Sequence, residues 1–456
     1  TSRGVLIGRE GIGTLLLDDG ATLSSTSGWL YAAEQSGSEG WVTIQNGATA
    51  SADGTGLGIW QTAQGHLVVT GDTASYTSTR QVQVGRYGTG ELEVLAGADV
   101  RSFKSDSPTS SSALIGMYAE GVGVATVSGG GSRWDQDGVF TVGWFGDGTL
   151  HIDSGGQITN GLDGILGRMP GSNGIATVTG AASLWDVGGT LSLGGLPDSA
   201  GGSGTLNVND EAVVWAHSRL LLWSAGTVSL NGGSVTVGTA AGGGTANTVE
   251  LTTGGTLQGV GTITGNVRNT AGTVAPGIPT GRLHVAGDFV QQAAGTLRIE
   301  LGGYDAATTH DQLQIDGTAT LGGTLNVTLA NDFVPVAGDS FVVLTGALAG
   351  TQFDVVNLPT GIPGVQFGVV YAPQSVTIVV SATTCPGDLN CDDQVNFVDI
   401  NAFVLYLSNH PAWLTMYPAC DPRNGDLDGN GVYPSFGDIN PFVTLLTTNS
   451  LPIVCP

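Results

Sequence analysis

The sequence predicts a mainly-β chain: a right-handed β-solenoid (β-helix) with a β-sandwich-like cap, followed by a small α-helical module at the C-terminus. Three observations predict this. A glycine-punctuated repeat with strand-like alternation runs from the first residues to about Gly303. Two near-copies of an acidic loop, each followed by an apolar helical stripe, close the chain. All four cysteines fall in that closing segment.

The repeat is read from segments such as IGREGIGTLLLDDGATL (from Ile7), VGRYGTGELEVLAGADV (from Val84) and VGWFGDGTLHIDSGGQI (from Val142). Each begins with an apolar residue and a glycine, turns through polar residues, and continues as Gly-x-apolar-x-apolar. The leading glycines are Gly8, Gly58, Gly85, Gly116, Gly143, Gly167 and Gly194. Their spacings from Gly58 onward are 27, 31, 27, 24 and 27 residues, and the gap from Gly8 to Gly58 holds two periods of 25. Alternation such as Leu92-Glu93-Val94 marks strands with one face inward. Short strands at a fixed period, with glycine at the corners, describe coils that stack at the ~4.8 Å inter-strand spacing. About ten coils to Gly272 are expected, a rod of ~50 Å. Threonine-rich shorter coils follow to Gly303. Residues 304–380 carry longer strands (HDQLQIDGTATLGGTLNVTLA, DSFVVLTG, QSVTIVV), which predict the cap, and 381–384 form a linker to the module at 385–456.

Composition narrows the function. The net charge is −25 and Lys104 is the one lysine, which argues against nucleic acid or an anionic membrane as partner. There is no apolar run long enough to span a bilayer, so no membrane insertion is expected. The chain begins at Thr1 without Met or a charged-then-apolar leader, and the expectation is a signal peptide already removed.

The closing loops read Gly387–Leu407, GDLNCDDQVNFVDINAFVLYL, and Gly425–Leu446, GDLDGNGVYPSFGDINPFVTLL. A hard cation such as Ca²⁺ needs six to eight oxygens converging on one point. Counting Asp388 as position 1, the first loop offers Asn390, Asp392, the Gln394 carbonyl, Asn396 and Asp399 at positions 3, 5, 7, 9 and 12. It matches the EF-hand loop, with Asp393 where glycine is usual. The second offers Asp426, Asp428, Asn430, the Val432 carbonyl and Asp438, whose position is 13 rather than 12. Two Ca²⁺ sites are therefore expected. Behind the loops, Ile400, Phe403, Val404 and Leu407 fall at i, i+3, i+4 and i+7, as do Ile439, Phe442, Val443 and Leu446, giving one apolar stripe per copy. Cys385, Cys391, Cys420 and Cys455 allow three disulfide pairings. The preferred one is Cys385–Cys455 across the ends of the module with Cys391–Cys420 inside; a zinc site is the competing use. An oxidising exterior fits, so the protein is expected to be extracellular, secreted or held at the cell surface.

These paired loop–helix units resemble a dockerin, the calcium-dependent docking module of secreted bacterial proteins. The resemblance covers Cys385 to Pro456. It implies a cohesin-like partner read by loop positions 10 and 11, here Phe397 and Val398, and in the second copy approximately Ser435 and Phe436. A calcium-stiffened cap without a partner is the alternative. The glycine-rich coils resemble the passenger solenoids of autotransporters and related bacterial surface proteins, which implies a surface-displayed rod.

Enzymatic readings find little support. Asp135 and Asp137 flank Gln136 beside Trp134, and His66, His151, His217, His284 and His310 are scattered without a shared spacing. Paired carboxylates on neighbouring coils would serve a polysaccharide hydrolase, but no enzyme is expected. The solenoid tryptophans, Trp29 to Trp223, read as coil-to-coil packing in preference to sugar stacking. The repeat is already running at Val5-Leu6-Ile7-Gly8, and the expectation drawn is an uncapped end. That end and the apolar module together suggest a structural protein that assembles head-to-tail into a filament of copies of itself. The alternative is a monomeric surface adhesin or carbohydrate-binding rod anchored by its module to a cohesin-like receptor or a cell-surface glycan.

Overall fold

The computed structural model describes all residues except 1–3, 26, 105–110, 239–246, 363–364, 419, 450–451 and 456. Most of the polar insertion after Lys104 thus lies outside the described residues. The chain forms two compact units. One comprises Thr1–Ala330, Val342–Asn357 and Tyr371–Val376, the other Asn331–Phe341, Leu358–Val370 and Thr377–Pro456.

The first unit is a right-handed β-solenoid with three strands per coil. One coil shows the plan: Thr55–Leu57, then Gln64–Thr70, then Ser75–Ser78. Each strand pairs in parallel with its equivalents one coil away, as Gln64–Thr70 does with Glu39–Gln45 and Thr89–Leu95. A chain that returns to the same sheet in parallel takes the right-handed path. Inward residues stack in register: Val42, Leu67, Leu92, Ala125, Leu150 and Ala176 lie opposite one another and are buried. Burying each such aliphatic side chain contributes roughly 1.5–3 kcal/mol, so a long, narrow core is stabilised coil by coil.

Glycine turns the coils at Gly8, Gly58, Gly85, Gly116, Gly143, Gly167 and Gly194, all with positive φ. Gly85 has φ +69, and a Cβ there would lie 2.1 Å from the Val122 carbonyl oxygen of the next coil. The corner therefore needs both a left-handed backbone and a close approach. Between Gly8 and Gly58 the corner residue is Ala33, at φ 60, following Ala32, which pairs with Ile7 and Leu57. The double-length gap in the glycine repeat is thus two coils with one alanine corner.

Parallel stacking does not stop at Gly303. Leu313 lies opposite Leu344, and Thr324 opposite Val355. The ladder therefore continues into the segment expected as a sandwich-like cap.

Aromatic side chains mostly pack on one another. Trp60, Tyr87 and Tyr118 stack nearly parallel, with centroids 5.8 and 4.2 Å apart, and Trp41 lies 3.7 Å from His66. Trp60 and Trp41, each stacked on one neighbour, stay exposed at the surface. Trp134 and Trp185 are fully buried, and their indole N–H groups donate to Ser102 Oγ and Asn160 Oδ1 of the preceding coil, both at 3.0 Å. Each buried donor is satisfied, as burial requires.

Among its described residues the second unit contains three α-helices: α1 (Asp399–Ser408), α2 (His410–Met416) and α3 (Ile439–Thr448). Helix α2 was not anticipated by the loop–helix repeat. Asn409 caps it, accepting the Ala412 N–H, and Pro411 sits in its first turn, where a missing N–H costs nothing. The core of this region gathers Leu389, Val395, Phe403, Tyr406, Trp413 and Phe442.

Candidate metal centre

The two acidic loops fold alike. In the first, Asp388 accepts the Asp392 and Asp393 N–H groups on its two oxygens, and Asn390 and Asp392 accept the N–H groups two residues on. Asp399 Oδ1 accepts from Leu389 and Asn390, and its Oδ2 from Asn396. Asn396 in turn accepts the Val398 N–H on its side chain, in the turn just ahead of α1. Each of these side chains accepts at least one backbone N–H, which leaves further lone pairs for a cation.

In the second loop, Asp426 accepts the Gly431 N–H, Asp428 that of Asn430, and Asn430 that of Val432. Asp438 Oδ1 accepts from Leu427 and Asp428. Asp438 therefore stands where Asp399 does, and the extra residue is absorbed ahead of Ser435. Counted back from the closing acid, Ser435 stands opposite Asn396, Phe436 opposite Phe397, and Gly437 opposite Val398. Asp393, in place of the usual glycine, takes φ 62, close to the φ 75 of Gly431.

The donor set fits a hard divalent cation. Carboxylate oxygens of Asp426, Asp428 and Asp438 all lie within 4.8 Å of one another. Asp426 Oδ1 and Asp438 Oδ2 are buried with no hydrogen-bond partner among the described residues, a costly arrangement unless a positive charge meets them. In the first loop, burial and then the nearby Asp399 carboxylate push Asp388 up to about 6, with Asp392 adding to the crowding. Burial likewise raises Asp399. An ion would relieve this repulsion. All the ligands are oxygens, the preference of Ca²⁺ rather than of zinc. Gln394 and Val432 occupy the seventh positions, where a carbonyl would complete each set.

The cysteines are spent elsewhere. Cys385 bonds Cys455 and Cys391 bonds Cys420, which leaves no thiol for zinc. The Cys391–Cys420 bond ties the first loop from within, between Asn390 and Asp392. Trp413 holds the same loop through its indole N–H, which donates to the Leu389 carbonyl at 2.9 Å. Disulfides of this kind belong to oxidising compartments.

Helices α1 and α3 together present an apolar face. Phe403 and Phe442 meet beneath it with centroids 4.2 Å apart. Phe397, Val398 and Val404 of the first copy and Phe436 and Val443 of the second are more than half exposed. The lining of the groove between them, from Ile400 and Val404 to Ile439 and Val443, carries no charged residue.

The other candidate residues do not converge. Asp137 accepts the Lys104 backbone N–H at 2.7 Å, which makes it a loop clamp. Gln136 of the same stretch points inward and is buried. His66, His217 and His284 each pair with a single carboxylate, of Glu91, Asp186 and Asp316 respectively. His310 is buried, and burial lowers its pKa.

No family model matches the chain. The uncharacterized lipoprotein YdeK of Escherichia coli K12 is 29% identical over 208 residues, covering 44% of this chain and 13% of that protein. The chain thus matches a small part of that relative's length. Among solved structures, a fragment of TibA hyper-glycosylated by TibC covers 78% of this chain and 96% of that one, at 14% identity and a TM-score of 0.38. A likeness of that size carries no argument about function.

Proposed function

We propose that this is an extracellular β-solenoid protein of the cell surface, displayed through a calcium-stabilised, dockerin-like C-terminal module. The observation that carries the reading is the uncharged apolar face of α1 and α3, mounted directly on two loops built for Ca²⁺. Exposed apolar surface of that extent on a soluble module marks a docking site. Calcium binding would fix the start of each helix and so hold the face together, since metal affinity and folding are coupled. The two disulfides support an oxidising exterior, and the name of the E. coli relative, a lipoprotein, accords with the cell envelope. The solenoid supplies length and a repetitive outer surface and needs no reaction of its own.

The partner is a receptor of cohesin type, with an apolar patch to meet Phe397, Val398 and Phe436. A second copy of the chain is the competing occupant, and would make filaments. Sedimentation velocity and electron microscopy of the purified chain, with calcium and after chelation, separate the two. Monomers at high concentration in calcium support display on a receptor. Calcium-dependent polymers would replace that reading with self-assembly.

A further inference from the structure

We propose that Asn430 is a self-catalysed deamidation site, controlled by whether the second loop holds its ion. The control by calcium rests on the metal reading above; the modification itself does not.

Asn430 is followed by Gly431, and both are exposed. Glycine puts no Cβ beside its own nitrogen, so that nitrogen approaches the preceding side chain without a clash. Three hydrogen bonds then address the three groups that react. The Gly431 N–H, the nucleophile, donates to Asp426 Oδ2 at 3.0 Å, and that carboxylate is placed as a general base. The Asn430 side-chain carbonyl, the electrophile, accepts the Val432 N–H at 2.7 Å, a donor aimed at the oxygen on which negative charge develops. The Asn430 amide nitrogen, the leaving group, donates to Asp428 Oδ2 at 2.8 Å, and water relays to it the proton that Asp426 takes from Gly431, which lets it depart.

The step balances. The Gly431 nitrogen attacks Cγ of Asn430 and a C–N bond forms. The Cγ–Nδ2 bond breaks, and ammonia leaves with the proton taken from Gly431. Water then opens the succinimide to aspartate or isoaspartate. Aspartate adds a fourth carboxylate to a loop that already has Asp426, Asp428 and Asp438. Isoaspartate lengthens the main chain inside the loop and moves the Gly431 nitrogen away from Asp426. An ion held by this loop would engage the Asp426 and Asp428 oxygens to which the Gly431 and Asn430 N–H groups donate, and so slow the reaction.

The first loop lacks the site: its Asn390 is followed by Cys391, which is held in a disulfide. Asn173–Gly174 starts a ladder strand, whose extended backbone holds the following nitrogen in place. Asn231–Gly232 is exposed at a register shift of its strand, with Gly232 at φ 82. The two serve as held and exposed internal controls.

The test is incubation of the full chain in chelator and in calcium. It is followed by reduction, proteolysis and mass spectrometry, reading replacement of NH by O at each asparagine and the isoaspartate share. In chelator, Asn430 is expected to convert faster than Asn173 and Asn231, by roughly tenfold to a hundredfold, the scale of a positioned base. Asp426→Asn, also in chelator, should remove most of that excess while circular dichroism shows the fold retained. Gly431→Ala should slow conversion independently. Conversion at Asn430 no faster than at the two strand asparagines overturns the proposal. If Asn430 converts equally fast in calcium, a separate calcium titration divides the cases. Bound ion without protection refutes the control; no bound ion refutes the metal reading and leaves the modification standing.

Discussion

Asp438 gathers the Leu427 and Asp428 N–H groups on one carboxylate oxygen, as Asp399 gathers those of Leu389 and Asn390. The two acids occupy one structural position although their loops differ in length. Each closes its loop and opens its helix, so the loop geometry and the apolar faces of α1 and α3 are set by the same two residues.

The disulfides should matter in proportion to the chain they close. Cys385–Cys455 spans 70 residues and Cys391–Cys420 spans 29. Loop-closure entropy gives about 4 and about 3.5 kcal/mol respectively. Replacing Cys391 and Cys420 together with serine should also weaken calcium binding at the first loop more than at the second. Calorimetric titration of that variant checks it, with equal weakening at both loops as the contrary result.

Ala33 should be improved by glycine. Its φ of 60 is left-handed, which costs an L-residue about 1 kcal/mol. Ala33→Gly is expected to raise solenoid stability by a sizeable part of that. Gly85→Ala should lose more, because it adds a contact with the Val122 carbonyl to the strain. Chemical denaturation of both variants reads the opposite signs.

Trp185→Phe should destabilise the solenoid by about 1–3 kcal/mol, since it leaves the buried Asn160 carbonyl without its donor. The double variant Trp185→Phe, Asn160→Leu should recover part of the loss in the same denaturation assay.

Asp311 predicts a pH dependence. It is buried, and burial raises its pKa to about 7 although the Glu300 and Gly281 N–H groups donate to it. The native state therefore binds a proton between about 7 and the unfolded value of 3.8 that the unfolded chain does not. Stability from this group rises as pH falls through that window and is lost again above about 7. His310 acts oppositely, because its lowered pKa makes the unfolded chain the better proton binder. The difference between wild type and Asp311→Asn cancels His310. That difference should grow in favour of wild type from pH 8 to pH 5; a flat difference contradicts it.

Much of this was legible in the sequence because the repeat imposes one physical requirement many times over. A left-handed corner under a neighbouring carbonyl admits glycine almost alone, so Gly58, Gly85 and Gly116 report the coil directly. Where alanine takes the corner, at Ala33, the glycine signal vanished, and only the length of the gap, two periods of 25, reported the second coil. The likeness of the two acidic loops was legible for the same reason, since alternate oxygen-bearing side chains are hard to place by chance. The equivalence of Asp438 with Asp399 was hidden by one inserted residue, which spacing counts and backbone hydrogen bonds do not. Helix α2 escaped because its seven residues carry no long apolar period. Its signal was the Asn409 cap with Pro411 in the first turn. Continuation of the ladder past Gly303 was obscured by strands of unequal length, whose stacking appears only in the register.

Calcium titration of the full chain by calorimetry, before and after Asp399→Asn and Asp438→Asn, addresses the central claim most directly. Two ions per chain are predicted, with each substitution abolishing or greatly weakening one site and leaving the other. Chains that bind no calcium, or whose binding is unchanged by either substitution, would contradict a calcium-held docking module.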